Sequence, residues 1–266
     1  MGFKDKVYAT ISKKKSNLCV TLEANDGKSA KDCHTDVNKL SWCKRTVYAV
    51  APYASLIKVD RNFIKDLSRS QTRDLVNLIH DMSMLAIDDS KLVDVGGSLE
   101  CGLYQACEEG FDAVTFAPFQ GNTEEAVKKA RDKGLGLASL VLMPNKYFRS
   151  VKREPVHGLP ACFQYAREVG KFKADCAIIA APSNRNYATE DEVLWCNFHV
   201  GPETMVLAPS VNLNSNNLVY MNSLFKDRLV VDIGKDIIYS KKVSHQAKSA
   251  KEFLNKLSAL KLDDSS

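Results

Sequence analysis

Several features of specialised protein classes are missing from this sequence of 266 residues. No apolar run approaches the ~20 residues that a membrane-spanning helix requires, and the N-terminal residues lack the apolar core of a signal peptide. The formal net charge is only +5, and no stripe combines Lys or Arg with aromatic residues. We therefore expect neither nucleic acid nor a membrane as a partner.

The eight cysteines do not form a metal-binding or redox motif. None are spaced as a CxxC pair, and no Cys/His cluster has the spacing of zinc ligands. Several, such as Cys19 and Cys176, lie within apolar runs. We therefore expect reduced thiols, a cytoplasmic location and no metal site.

Short apolar runs alternate with longer amphipathic segments along the chain. The runs rarely alternate polar with apolar residues, which is typical of parallel strands buried on both faces. They span residues 18–22, 56–59, 84–87, 113–117, 137–143, 176–180, 205–208 and 229–233. Eight strand–helix units in ~250 residues predict an α/β fold, the (β/α)8 TIM barrel. A doubly wound open sheet is the alternative, although no GxGxxG follows the first strand.

No low-complexity stretch or linker divides the chain. We therefore expect residues 1–266 to form a single barrel domain, with a helical extension over residues 1–15 and a closing helix over residues 247–262. Ala250, Leu254 and Leu257 fall on one face of that closing helix. Chemistry in such a barrel belongs at the carboxyl ends of the strands, and phosphate binding belongs near the loops after strands 7 and 8.

A cluster of charges follows the third apolar run. Asp89 and Lys91 are two residues apart on an extended segment, so we expect their side chains to point to the same side, and Asp94 follows as the chain turns. Lys58 lies at the end of the neighbouring second run. Charges at such positions are costly unless they are paired. The pattern therefore favours a functional row of charges over unrelated charges on surface loops.

These residues resemble those of a known family, the orotidine 5′-phosphate decarboxylases, in particular the eukaryotic type. The resemblance extends from Lys13 to about Ser244. The segment DSKLVDVGGS at 89–98 matches the family motif DxKxxDxGx[TS] at every fixed position. Further matches are KSNLCV at 15–20 and LIK at 56–58, with weaker ones at 208–211 and 231–235.

The resemblance implies decarboxylation of orotidine 5′-phosphate to UMP in de novo pyrimidine synthesis, without a metal or organic cofactor. It implies that Lys91 donates a proton to C6 of the pyrimidine. Lys58, Asp89 and Asp94 would complete a catalytic charge row. Asp94 and Ser98 would reach into the site of a partner subunit, which implies a homodimer with shared active sites. The residues predicted to bind substrate are Thr21, Glu23, Asp60, Ser98, Asn145, Asn212, Tyr220, Gly234 and Lys235.

The sequence departs from the family pattern at positions that bind substrate. Glu23 replaces the aspartate that holds the ribose hydroxyls, and overpacking of a tight site by its longer side chain costs ~1–3 kcal/mol. Pro144 stands where a serine contacts the pyrimidine, so Asn145 is the expected substitute. Lys235 replaces the phosphate-binding arginine and keeps its charge without its bidentate fork. Asp60 stands where eukaryotic members often have histidine.

These departures leave alternative functions open. The chain is either an active decarboxylase with weakened phosphate binding or a catalytically impaired relative that only binds a pyrimidine nucleotide. A related Mg²⁺-dependent barrel decarboxylase of sugar-acid phosphates is a further alternative, which the eukaryote-like first strand disfavours. We favour the active decarboxylase, because a buried row of charges is costly to keep without a function.

Overall fold

The computed structural model describes residues 1–24, 36–145, 147–182, 188–209, 211 and 216–259. Its main sheet is a closed barrel of parallel strands that follow one another around the ring in chain order. The strands are β1 Leu18–Leu22, β2 Leu56–Asp60, β3 Leu85–Leu92, β4 Ala113–Phe116, β5 Gly136–Leu142, β6 Cys176–Ile179, β7 Met205–Pro209 and β8 Leu229–Ile233. The predicted (β/α)8 barrel is confirmed, and the pairing of β1 with β8 excludes the open sheet.

Helices alternate with these strands and pack around the barrel. They are α1 Phe3–Lys14, α2 Asp36–Val50, α3 Arg69–Asp81, α4 Gly96–Glu108, α5 Thr123–Asp132, α6 Phe148–Val151, α7 Ala161–Phe172, α8 Glu190–Val200, α9 Asn216–Phe225, α10 Lys235–Ile238 and α11 Val243–Ala259. A small antiparallel hairpin, Pro155–Val156 with Leu159–Pro160, precedes α7. Within the described ranges, no helix is both long and apolar enough to cross a bilayer.

Local sequence signals explain where several helices begin. Ser68 starts α3 with a reciprocal cap: its Oγ accepts from the Gln71 N–H at 3.2 Å, and the Gln71 side chain accepts from the Ser68 N–H at 2.7 Å. Thr189 and Glu192 repeat this arrangement at the start of α8. Such caps satisfy amide groups that have no partner within the helix.

The predicted terminal helices are present with shifted bounds. The extension expected over residues 1–15 is α1, Phe3–Lys14. The closing helix begins earlier than expected, at Val243, and residues 260–262 of the prediction lie outside the described residues.

The core consists of two apolar layers. One lies between the strands and the surrounding helices. The other fills the barrel interior, and Phe3 and Val7 of α1 belong to it. Lys6 Nζ lies 3.2 Å from Asp112 Oδ1, just before β4 begins. Helix α1 therefore closes the amino end of the barrel, which leaves the carboxyl end as the mouth.

The close approach of α1 depends on Gly136, the first residue of β5. A Cβ atom at this position would lie 2.3 Å from the Phe3 ring. We expect Gly136→Ala to lower the free energy of unfolding by ~1–3 kcal/mol, because the ring must leave its place under the barrel. Urea denaturation measures this difference.

Gly97→Ala is the matched control, because no atom lies within 4 Å of a Cβ at that position. The double variant Gly136→Ala with Phe3→Ala lacks the Phe3 Cγ and Cδ1 atoms that the new Cβ would meet, so we expect it to cost less stability than the two single changes added together. A Gly136→Ala protein as stable as the wild type would contradict this account of the closed amino end.

Candidate active site

The mouth of the barrel carries polar side chains on the interior faces of five strands. They are Thr21, Lys58, Asp89, Thr115 and Asp232, all buried. Each lies two residues after an apolar member of the interior layer. Because strand side chains alternate between faces, the residue two positions on must also face the interior. The alternation of side chains along the five strands therefore brings these polar groups together in the mouth of the barrel.

A chain of ion pairs runs through this mouth. Lys58 Nζ lies 3.3 Å from Asp89 Oδ2 and 2.9 Å from Asp232 Oδ2. Lys91 Nζ lies 3.0 Å from Asp89 Oδ1. The order Lys91, Asp89, Lys58, Asp232 alternates in sign. Lys58 was predicted to lie beside Asp89 and Lys91, and the structure brings these three residues together.

Burial and pairing act in opposite directions on these groups. The side chains of Lys58 and Asp89 are only 10% and 6% exposed. Burial acts to raise the pKa of Asp89, but the ammonium groups of Lys58 and Lys91 outweigh it and lower that pKa below its usual value. Burial acts to lower the pKa of Lys58, yet the carboxylates of Asp232 and Asp89 raise it. Both residues therefore stay charged near neutral pH.

Two threonine hydroxyls complete the hydrogen bonding of the carboxylates. Thr115 Oγ1 donates to Asp89 Oδ1 at 2.9 Å and accepts from the Lys91 backbone N–H at 2.8 Å. Thr21 Oγ1 donates to Asp232 Oδ1. Thr21 was predicted to bind substrate, and in this structure its hydroxyl is directed to Asp232. Buried carboxylates need such donors, because they have lost their water.

Lys91 does not have the extended backbone that its spacing from Asp89 suggested. Strand β3 was expected to end at residue 87 but continues to Leu92, and its register against β4 shifts between Asp88 and Leu92. Lys91 has a left-handed φ of 50°. A bulge of this kind redirects side chains. The Lys91 side chain still meets Asp89 but stands at the rim, where it is 42% exposed.

Asp94 and Ser98, the two residues predicted to serve a partner subunit, are exposed. The Asp94 carbonyl accepts from Asn122 Nδ2 at 3.0 Å. Among the described residues, no ion pair holds the Asp94 carboxylate. Among the residues that the structure describes, the row of ion pairs therefore ends at Lys91, and Asp94 is not part of it.

Three other predicted binding residues meet at the far side of the mouth. Glu23 follows β1, and Gly234 and Lys235 follow β8. The Lys235 backbone N–H donates to the Glu23 carboxylate. Burial raises the pKa of Glu23, and the charge of Lys235 offsets part of that rise.

The remaining predicted binding residues lie apart from this group or outside the described ranges. Asp60 Oδ1 accepts from the Asn62 N–H at 2.9 Å in the turn after β2. The Tyr220 hydroxyl donates to the Glu190 carbonyl at 3.0 Å and so ties α9 to α8. Asn145 is exposed after β5, and Asn212 lies outside the described residues.

Sequence reasoning missed two members of the site, Asp232 and Thr115. Asp232 carried a usable signal, because a carboxylate inside the apolar run of β8 needs a buried partner just as Lys58 does. Thr115 carried none, because threonine is common in strands for its own packing reasons.

The opposite face of β3 carries a second cluster that faces the outer layer. Arg61 Nη1 lies 2.8 Å from Glu109 Oε2, and Arg61 Nε lies 3.7 Å from Asp88 Oδ2. Burial raises the pKa of Asp88 to about 6, against the opposing charge of Arg61. Asp88 and Asp89 are adjacent, yet their pKa values shift in opposite directions because only Asp89 lies between two ammonium groups.

Comparison with known proteins identifies the same architecture. No protein-family model matches the chain, and no curated protein matches it in sequence. Solved structures do match. A Toxoplasma gondii protein, named as a candidate orotidine-monophosphate-decarboxylase, superposes with a TM-score of 0.83 at 18% identity, over 100% of this chain and 99% of that one.

Two further structures have the same fold. The OMP decarboxylase of Leishmania donovani has a TM-score of 0.80 at 15% identity, over 97% of this chain and 99% of that one. The orotidine 5′-monophosphate decarboxylase of Methanocaldococcus jannaschii, complexed with the inhibitor BMP, has a TM-score of 0.68 at 17% identity, over 90% and 98%. The chain is thus a (β/α)8 barrel with a charged mouth, and its fold is that of the orotidine 5′-phosphate decarboxylases. The resemblance seen in the sequence is confirmed at the level of the fold.

The raised pKa of Asp88 predicts how stability depends on pH. The folded protein holds this proton more tightly than the unfolded chain does, so the contribution is complete below about pH 4 and is lost as the pH rises through about 6. Asp88→Asn removes the titration. We expect the variant to gain about 2–3 kcal/mol relative to the wild type between these pH values.

Urea denaturation at several pH values from 4 to 7 measures this relative gain. Asp74→Asn, at an exposed carboxylate of α3, is the control and should follow the wild type. Parallel pH profiles for Asp88→Asn and the wild type would show that Asp88 titrates normally.

Proposed function

We propose that the chain decarboxylates orotidine 5′-phosphate to UMP, with no metal or organic cofactor. The observation that carries this proposal is the contact of Asp89 with two ammonium groups, Lys58 and Lys91, at the mouth of the barrel. The DxKxxDxGx[TS] motif contains two of these residues and supports the same reaction. The chain also shares its fold with solved orotidine 5′-phosphate decarboxylases, which supports the class of reaction but not the roles of individual residues.

Lys91 is the proposed proton donor. Loss of CO2 from C6 of the pyrimidine breaks a carbon–carbon bond and leaves its electron pair on C6. A cation placed there beforehand stabilises that developing charge at no cost of reorganisation. Lys91 then transfers a proton from Nζ to C6, and its amine recovers a proton from water. Its place at the rim, partly exposed, allows a ligand in the mouth to contact it.

Asp89 is proposed to act on the substrate carboxylate. Thr115 and two lysines hold this carboxylate in place, so it cannot withdraw from a like charge brought next to it. A substrate carboxylate placed beside Asp89 is repelled, and the repulsion disappears as neutral CO2 departs. Part of the barrier is thereby removed by raising the energy of the bound substrate.

Lys58 and Asp232 are proposed to position Asp89 rather than to touch the reacting atoms. Lys58 binds both carboxylates at once, and Thr21 donates to Asp232 from the other side. This arrangement fixes the Lys58 ammonium inside the mouth of the barrel. A fixed cation keeps Asp89 ionised and oriented without being consumed in the reaction.

Asp94 and Ser98 are proposed to act in the site of a partner subunit. Both are exposed, and the carboxylate of Asp94 makes no ion pair with the described residues of its own chain. A homodimer with shared active sites would give Asp94 a partner in the second subunit's row. The proposed enzyme is a single barrel domain that acts in de novo pyrimidine synthesis in the cytoplasm.

A second candidate function is nucleotide binding without turnover. The observation that favours it is the contact of Glu23 with the Gly234–Lys235 segment, where a phosphate is expected to bind. If the phosphate bound weakly, the charge row would be intact, but the site would have a low affinity for the substrate. Turnover assays separate the two functions.

Lys91→Ala tests the proposed chemistry. We expect the variant to lose at least about 10²–10⁴-fold in kcat, because the donated proton and the cation beside C6 are both removed. The loss of ultraviolet absorbance of orotidine 5′-phosphate measures turnover. Lys128→Ala, at an exposed lysine of α5, is the matched control and should retain wild-type activity.

Further measurements on the wild type and on Lys91→Ala distinguish the alternatives. Equal rates for Lys91→Ala and the wild type would reject the role of Lys91. Binding of UMP without CO2 release by the wild type would favour the binding-only protein. Release of CO2 from a sugar-acid phosphate that is abolished by EDTA would favour the Mg²⁺-dependent decarboxylase.

Lys235→Arg tests the proposed phosphate contact. Arginine offers the bidentate fork that lysine lacks, so we expect KM for orotidine 5′-phosphate to fall by about 3- to 10-fold, equivalent to about 1 kcal/mol. Steady-state kinetics separates KM from kcat, and Lys235→Ala should raise KM. A KM that does not respond to either change would place the phosphate elsewhere.

A further inference from the structure

The side chain of Glu23 reaches from the end of β1 to the segment after β8. An ideal Cβ on Gly234 would lie 1.8 Å from Glu23 Oε1, so the carboxylate fills the space that this glycine leaves open. The Lys235 N–H donates to the same carboxylate. The Tyr239 hydroxyl donates to the Glu23 carbonyl at 2.7 Å and anchors the backbone from which the side chain extends.

The segment after β8, which Glu23 reaches, is where a barrel of this type is expected to bind phosphate. Barrels of this type bind phosphate with the loops after strands 7 and 8, largely through backbone N–H groups. Gly234 and Lys235 follow β8 directly, and the Glu23 carboxylate already takes up the Lys235 N–H. An anion of the protein itself therefore occupies the position that an anion of the ligand requires.

The charge balance of the mouth points the same way. The described part of the site holds three ammonium groups and three carboxylates, namely Lys58, Lys91, Lys235, Asp89, Asp232 and Glu23. These charges already cancel before any ligand is present. A phosphate dianion therefore meets no excess of positive charge among the described groups unless Glu23 moves away or gains a proton.

We propose that Glu23 is an intramolecular competitor for the phosphate of the ligand and so determines how much the 5′-phosphate contributes to affinity. The proposal rests on the proposed function, since that function places a pyrimidine nucleotide in this mouth. Glu23 must leave the Lys235 N–H before a phosphate can bind there. The free energy of that displacement is subtracted from the affinity for the nucleotide but not from the affinity for the nucleoside.

Calorimetric titration with uridine and with UMP tests this competition in the 266-residue chain. The measured quantity is the ratio of the two dissociation constants, uridine over UMP. We expect a ratio below about 10 in the wild type and an increase of about tenfold or more in Glu23→Asp, whose shorter side chain withdraws from Gly234. Uridine serves as the reference because a change in the ribose contact predicted for Glu23 affects both dissociation constants and cancels in their ratio.

Glu23→Gln provides a second variant of unchanged length. Loss of its charge should also raise the ratio, because the repulsion of the phosphate is gone. Glu124→Asp, at an exposed carboxylate of α5, is the control and should leave the ratio unchanged. Circular dichroism establishes that each variant is folded.

The outcomes distinguish this inference from the proposed function. A ratio above about 10³ in the wild type, or one unaffected by both Glu23 variants, would show that Glu23 does not compete with the phosphate, while nucleotide binding itself would stand. If neither uridine nor UMP bound to the wild type or to any variant, the proposed function would fail and the competition with it.

Discussion

The Asp89 carboxylate, buried between the ammonium groups of Lys58 and Lys91, is the interaction on which the rest of the site depends. An opposite-charge contact at 4 Å is worth ~4 kcal/mol at an effective dielectric of 20, which is enough to keep a buried carboxylate ionised. Removing either cation would leave Asp89 with a single ammonium partner, so a larger part of the free-energy cost of its burial would be uncompensated. The charged groups of the mouth therefore depend on one another to stay ionised. Asp232 and the hydroxyls of Thr21 and Thr115 hold them in place.

Strand β3 brings this arrangement about by departing from regular geometry. Asp88 and Asp89 are neighbours on opposite faces, so one carboxylate enters the outer cluster with Arg61 and the other enters the mouth. The left-handed backbone of Lys91 then returns its side chain to Asp89. A left-handed residue other than glycine costs roughly 1–2 kcal/mol, and such strain is typical of functional sites.

The two halves of the mouth differ in how they fit the proposed reaction. The half that would perform the chemistry carries the complete DxKxxD spacing and its ion pairs. The half that would hold the ligand carries Glu23 over Gly234 and a lysine in place of an arginine. Under the proposed function, the chain has the charges that would act on the pyrimidine and differs from the family pattern in the contacts that would act on the phosphate.

The sequence alone determined the strand positions, because residues buried on both faces produce apolar runs that need no partner to be recognised. It also determined Lys58, Asp89 and Lys91 as a group, since charges at the ends of such runs must be paired. Only the tertiary structure decided that Asp232 and Thr115 contact them and that Asp94 makes no ion pair with them among the described residues of its own chain. Those contacts depend on ring closure, on the shifted register of β3 and on side chains from distant strands, and no spacing along the chain encodes them.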